Sequence, residues 1–227
     1  MTTENKPTYG GQAVLEGVMI RGQRHMAVAV RRPNGAIAVQ SRPLSTLFTG
    51  TLRQFPLVRG VIVLVETLAL GMRALTYSAN VSMEDPEADP DDEVEQDELG
   101  AGSVALMLTI SLLFAIGLFF LLPLFASRPL EGMFGSDLFS NIMEGVIRMV
   151  IFLIYIWLIG KMGEINRVFM YHGAEHMTVH AQEHGVPLEI DYIRKYSPAH
   201  PRCGTAFLLT VMVVAIVVFA FIPRDPL

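Results

Sequence analysis

Apolar residues follow three rhythms along this chain. Between Tyr9 and Leu44 they alternate with polar or small residues, the two-residue period of a strand. His25–Arg32 (HMAVAVRR) and Ala36–Gln40 flank Pro33-Asn34-Gly35, and Asn-Gly between two such runs predicts a hairpin. Gln12–Ile20 predicts a third strand, with turns at Gly10-Gly11 before it and at Gly22 after it. Three strands need another element over one face. The nearest is Leu57–Leu75, 19 mostly apolar residues carrying Arg59, Glu66 and Arg73. Those three are spaced by seven, which on a helix gathers them within about 40°. A thin polar stripe on an apolar helix predicts a segment lying in a membrane interface or partly inserted, in preference to a full span.

The third rhythm is unbroken. Val104–Phe125 is 22 residues without a charge, which matches the roughly 20 residues a bilayer span needs. Ile142–Gly160 is a second such stretch, with Glu144 and Arg148 near its start, and Ala206–Ile222 is a third, of 17 uncharged residues. No basic region followed by an apolar run opens the chain, so no signal peptide is expected. The fold class predicted is a mainly α-helical integral membrane protein with a small N-terminal β element, a hairpin or meander. Residues 1–55 form the β-rich cytoplasmic element and 56–80 the interfacial or partly inserted helix. Residues 84–98 are a flexible linker. Residues 103–222 form the membrane domain, with spans near 104–125, 142–160 and 206–222 and a cytoplasmic histidine-rich segment at 161–205.

Composition agrees: 52% of the 227 residues are hydrophobic and 17% charged, against about a quarter charged in soluble domains. The net charge of −5 is less simple. From Glu84 to Glu98, ten of fifteen residues are acidic and none is basic, a run with Pro86 and Pro90 that cannot order itself by burial. Outside it the chain is basic, and Met1–Met83 holds nine Lys/Arg against three acids. The loop Ala126–Asn141 holds only Arg128, whereas Lys161–Thr205 holds Lys161, Arg167, Arg194, Lys195 and Arg202. Positive charge favours the cytoplasmic side, so the N-terminus and the histidine segment are both expected there. The scattered arginines lack interleaved aromatics, so no nucleic-acid partner is expected, and beside a membrane they read as contacts to anionic headgroups.

Candidate chemistry lies in the histidines. Five of six (His172, His176, His180, His184 and His200) fall within 29 residues, and His25 stands apart. In YHGAEHMTVHAQEHG (Tyr171–Gly185) four of them are each four apart, and the first three span roughly 80° of a helix. His172 and His176, one turn apart, supply two imidazole nitrogens to a divalent metal, zinc first. Glu175 borders the same face as a ligand or a general base, and His-x-x-Glu-His is the inverted zincin pattern. A further ligand is sought in HPRCGT: His200 and Cys203 are nitrogen and sulfur donors three apart, and Arg202 favours the Cys203 thiolate. Glu183 and Asp191 are spare carboxylates. Glu144 and Arg148, four apart in the favoured order, face either a bundle cavity or water at the outer interface.

Taken together, GGQAVLEGVMIRG (Gly10–Gly22), PLVRG (Pro56–Gly60), EGVIR (Glu144–Arg148), YHGAEH (Tyr171–His176), RKYS (Arg194–Ser197) and HPRCGTAFLL (His200–Leu209) resemble, in order, the motifs of the YqhQ-like bacterial family. The resemblance covers nearly the whole chain, with the acidic linker as its variable part. It implies a domain of unknown function described as predicted metal-dependent membrane enzymes. Glu16, Arg21, Glu144, Arg148, His172, Glu175, His176, His200, Arg202 and Cys203 fall on the family's motif positions. The family usually has lysine where this chain has Met177, and it usually continues past the last apolar stretch, so a shortened member is expected.

The function expected is a metal-dependent hydrolase of the cell membrane, acting at the cytoplasmic face on a lipid or membrane-peptide substrate. His172, His176, His200 and Cys203 would be metal ligands, Glu175 the base, and Arg202 a stabiliser of developing negative charge. Glu16, Arg21, Glu144 and Arg148 would support the site. A metal-binding, sensing or transport protein, and a scaffold subunit of a membrane assembly, are the other classes the sequence admits. The oligomeric state is open.

Overall fold

A computed structural model of the chain describes residues 9–44, 56–84, 101–131 and 136–222. The acidic run, Glu84 excepted, and the ends of the N-terminal element lie outside the described residues. The architecture is mainly helical, with an N-terminal four-stranded antiparallel sheet. The strands are β1 (Gly10–Val14), β2 (Gly17–Arg21), β3 (His25–Arg31) and β4 (Ile37–Pro43). The helices are α1 (Pro56–Ser82), α2 (Ala101–Ile116), α3 (Leu122–Glu131), α4 (Asp137–Ile159), α5 (Gly163–His184), α6 (Ile190–Ile193) and α7 (Gly204–Ala220). The chain divides into two units: Met1–Asp97 with Gly163–His200, and Glu98–Met162 with Pro201–Leu227.

In the first unit the strands form a meander in sequence order. The predicted hairpin is present: β3 pairs with β4, Ala29 opposite Val39. Gly35 takes a φ of +88°, and the Ala36 N–H donates to Asn34 Oδ1 at 3.0 Å. The predicted single strand Gln12–Ile20 is instead two strands, β1 and β2, paired antiparallel through Val14 and Gly17. The chain reverses at Leu15-Glu16, with Glu16 at a φ of +52°. A non-glycine residue there costs about 1–2 kcal/mol. The Glu16 carboxylate offsets that cost through Arg167, which bonds both its oxygens, and through the Tyr171 hydroxyl at 3.4 Å. Gly10 and Gly11 are strand residues and do not form the expected turn.

Helix α1 covers the sheet, as one face of three or more strands requires. Leu70, Ala74, Tyr77 and Val81 recur at helical spacing and join Val14, Met19, Met26, Val28, Val30, Ala38 and Leu44 in one core. The expected polar stripe is not uniform. Arg59 and Arg73 are exposed, whereas Glu66 is fully buried and accepts a hydrogen bond from Arg21 at 2.5 Å. Val61, Leu64, Val65, Leu68 and Met72 form an exposed apolar face on the same helix.

In the second unit, α2 runs into α3 through a π-helical turn, Gly117–Leu121. Pro123 follows it. Proline inside a helix loses an N–H and crowds the carbonyl four residues earlier, and a wider turn relieves that crowding. Ser136 caps α4 by accepting from the Phe139 N–H. Helices α4 and α7 approach closely at Gly145, where a Cβ would lie 2.7 Å from Ile216 Cγ1. Asn141 Nδ2 donates to the carbonyls of Phe219 and Ile222, closing the end of α7. Among the described residues, Ala105–Pro129 and Asp137–Ile159 are long and apolar enough to cross a membrane, by length and composition. Gly204–Ala220 is apolar but shorter, at 17 residues.

Candidate metal centre

Helix α5 carries the histidine repeat and lies against β1 and β2. Near its start Arg167 and Tyr171 grip Glu16 in the β1–β2 turn. One turn later Glu175 and His176 are buried, at 7% and 8% exposure. Glu175 packs on Gly11: a Cβ on that residue would stand 2.1 Å from Glu175 Oε1. The glycine belongs in the strand because the carboxylate occupies the space of a side chain. Gly11→Ala is therefore expected to displace Glu175 and to cost about 1–3 kcal/mol, the usual range for overpacking. Thermal unfolding of the purified variant beside wild type measures this.

Burial raises the Glu175 carboxyl above its usual range, and the charges of His176 and His200 pull the other way. Burial and then the charge of His176 lower the His172 imidazole, so it stays neutral further into acid. His200, also buried, is lowered by burial first and then by His180 and His176.

The geometry of the first histidine pair is specific. His172 Nε2 and His176 Nε2 face each other at 3.1 Å. His176 Nδ1 lies 2.7 Å from the Pro198 carbonyl, and only an N–H on Nδ1 can bond there. That assigns the tautomer and turns the Nε2 lone pair toward His172. Two ring nitrogens at this spacing need a proton or a metal ion between them. Zinc–nitrogen bonds of about 2.0–2.1 Å place neighbouring tetrahedral ligands about 3.3 Å apart, so the pair fits a divalent metal. A ligand imidazole whose second nitrogen donates to a backbone carbonyl is the usual supporting arrangement. Gly173 admits the segment that supplies this carbonyl, since a Cβ there would meet Pro198 Cβ at 3.2 Å.

His200 comes to the same helix. Its ring centroid is 5.7 Å from that of His176 and 4.4 Å from that of His180, and its Nε2 is 3.5 Å from Glu183 Oε2. In the sequence His180 is a further member of the histidine repeat and Glu183 a spare carboxylate. What brings them forward is the path of residues 196–200 beside α5, which no local spacing encodes. Arg21 serves the fold through Glu66, and Glu16 serves it through Arg167.

The other expected site residues belong to the second unit. Cys203 is the N-cap residue of α7, its Sγ 2.8 Å from Thr205 Oγ1, and Arg202 is exposed in the turn before it. Arg148 donates to Glu144 at 2.8 Å and lies over the Phe120 ring at 5.7 Å. This pair lines a cavity of about 440 Å³ with Asn141, Met212, Ile216 and Phe219.

Comparison with known proteins gives a family and no activity. Residues 55–227 match the family described as a protein of unknown function (DUF1385). The chain is 32% identical over 228 residues to the uncharacterized protein YqhQ of Bacillus subtilis (strain 168), covering 97% of this chain and 71% of that relative. No solved structure matches.

Proposed function

We propose that this chain, which belongs to the DUF1385 family of proteins of unknown function, is a membrane-bound metal-dependent enzyme, most simply a hydrolase working at the cytoplasmic face. The observation that carries the reading is the His172–His176 pair, its Nε2 atoms 3.1 Å apart, its tautomer set by Pro198, and a buried carboxylate on the intervening residue Glu175. A divalent metal held there, zinc first, supplies Lewis acidity toward a carbonyl or phosphoryl oxygen. His172 and His176 hold and orient it. Glu175, its carboxyl held above the usual carboxylate range by burial, takes a proton from an attacking water and returns it to the leaving group.

The membrane part of the proposal is supported by the two long apolar helices and by apolar residues they leave exposed, among them Leu112, Phe114, Leu153 and Ile154. Lys161 Nζ lies 4.3 Å from the Trp157 ring centroid at the end of α4, the pairing expected at a bilayer interface. The exposed face of α1, Val61 to Met72, suits a helix lying in that interface. Lipid headgroups and membrane peptides are the substrate classes within reach. The reading predicts that the full chain stays in the membrane fraction after alkaline carbonate washing. Release of the intact chain into the supernatant would remove the membrane half of the proposal.

Metal binding requires neutral imidazoles. Because the His172 imidazole is lowered, protons are expected to compete with zinc for it only below about 6.5, the ordinary histidine value, so that zinc affinity declines below that pH. Zinc titration at a series of pH values checks this; a decline already complete at pH 6.5 contradicts it.

A further inference from the structure

One turn beyond the first pair, α5 presents His180 and Glu183, and His200 reaches them from the segment after α6. One donor atom from each of the three lies within 4.8 Å of the others. We propose that His180, Glu183 and His200 form a second divalent-cation site, separate from the His172–His176 pair.

Three observations support it. The donor set is two imidazole nitrogens and one carboxylate, the combination of catalytic zinc sites and of two-histidine, one-carboxylate iron sites, which leaves positions open for water or substrate. The His200 Nε2 to Glu183 Oε2 separation is 3.5 Å. A charge-assisted hydrogen bond runs about 2.7–2.9 Å, whereas two ligands around one tetrahedral ion at about 2.0–2.2 Å stand about 3.4 Å apart. The Glu183 side chain is partly exposed at the helix surface, which leaves the site open to a cation from solvent.

The third observation is how His180 is held. Its Nε2 lies 3.0 Å from the Ala199 carbonyl, so the N–H is there and the Nδ1 lone pair is left for a cation. The Tyr196 ring stacks on the imidazole, nearly parallel at 12°. Consecutive carbonyls, Pro198 and Ala199, thus fix the tautomers of His176 and His180. The same short segment delivers His200. One strap orients both sites.

The inference does not depend on the hydrolase reading, and one experiment separates them. Full-length chain, purified in detergent and stripped with chelator, is titrated with Zn²⁺ and its bound metal counted. Wild type is expected to bind two equivalents. Glu183→Gln is expected to lose one and to weaken it at least ~100-fold, more than the 10–100-fold typical of outer-shell changes. His172→Ala with His176→Ala is expected to lose the other one. His180→Asn repeats the Glu183→Gln result at another ligand, with circular dichroism confirming that each variant is folded. If Glu183→Gln and His180→Asn keep the wild-type stoichiometry, the second site is overturned while the first stands. If wild type binds one ion, removed only by Glu183→Gln and His180→Asn, the second site stands and the first falls.

Discussion

His176→Ala is expected to weaken divalent-metal binding at the first site by more than ~100-fold, because it removes a ligand outright, and loss of a supporting partner alone costs 10–100-fold. His176 has the more constrained geometry of the pair. It is 8% exposed, and its Nδ1 is tied to the Pro198 carbonyl at 2.7 Å. Its Nε2 is therefore presented in one direction, toward His172. An exposed histidine would first have to give up side-chain freedom to bind. The control is His184→Ala: His184 Nδ1 bonds the His180 carbonyl at 2.7 Å, and this change is expected to leave first-site affinity within about threefold. Competition against a chromophoric chelator measures both. Equal loss in the two variants would mean that the helix, and not the ligand, had been disturbed.

Arg21→Met is expected to destabilise the first unit by about 3–5 kcal/mol, the usual result of removing one partner from a buried ion pair. The Glu66 side chain is 1% exposed, and Arg21 reaches it from the end of β2 at 2.5 Å. Without the guanidinium, a carboxylate is left between α1 and the sheet. Replacing both, Arg21→Met with Glu66→Leu, is expected to recover most of the loss, since apolar pairs of similar volume often match or exceed buried ion pairs. Thermal unfolding of the detergent-solubilised chain tests the pair of variants. If the double variant is no more stable than Arg21→Met, Glu66 has a role beyond the ion pair.

Particular residues show how far the chain could be read. The β3–β4 hairpin was legible because alternation and Asn34-Gly35 both act within a few residues. Gln12–Ile20 reads as one strand but folds as two, because Leu15-Glu16 lacks turn chemistry and Glu16 holds its left-handed backbone through Arg167, 151 residues away. Gly10-Gly11 looked like a turn for the same reason: what makes Gly11 necessary is Glu175, far along the chain. The sevenfold spacing in α1 grouped Arg59, Glu66 and Arg73 correctly on one side. It did not show that Glu66 alone turns inward, which depends on Arg21.

The candidate site divides along the same line. His172, Glu175 and His176 were visible because helical spacing alone stacks them. His200 was visible as a donor but not as a neighbour of His180 and Glu183, since its position depends on the course of residues 185–200. Pro198 and Ala199 carry no side-chain signal, because their part is played by backbone carbonyls.

The most direct test of the central claim is the metal content of the full-length chain purified in detergent from cells grown without added chelator, read by elemental analysis beside His172→Ala. Stoichiometric zinc or another divalent transition metal in wild type, reduced by one equivalent in His172→Ala, is the predicted result. A folded wild-type chain that carries no metal and takes up none on dialysis against Zn²⁺ would contradict it.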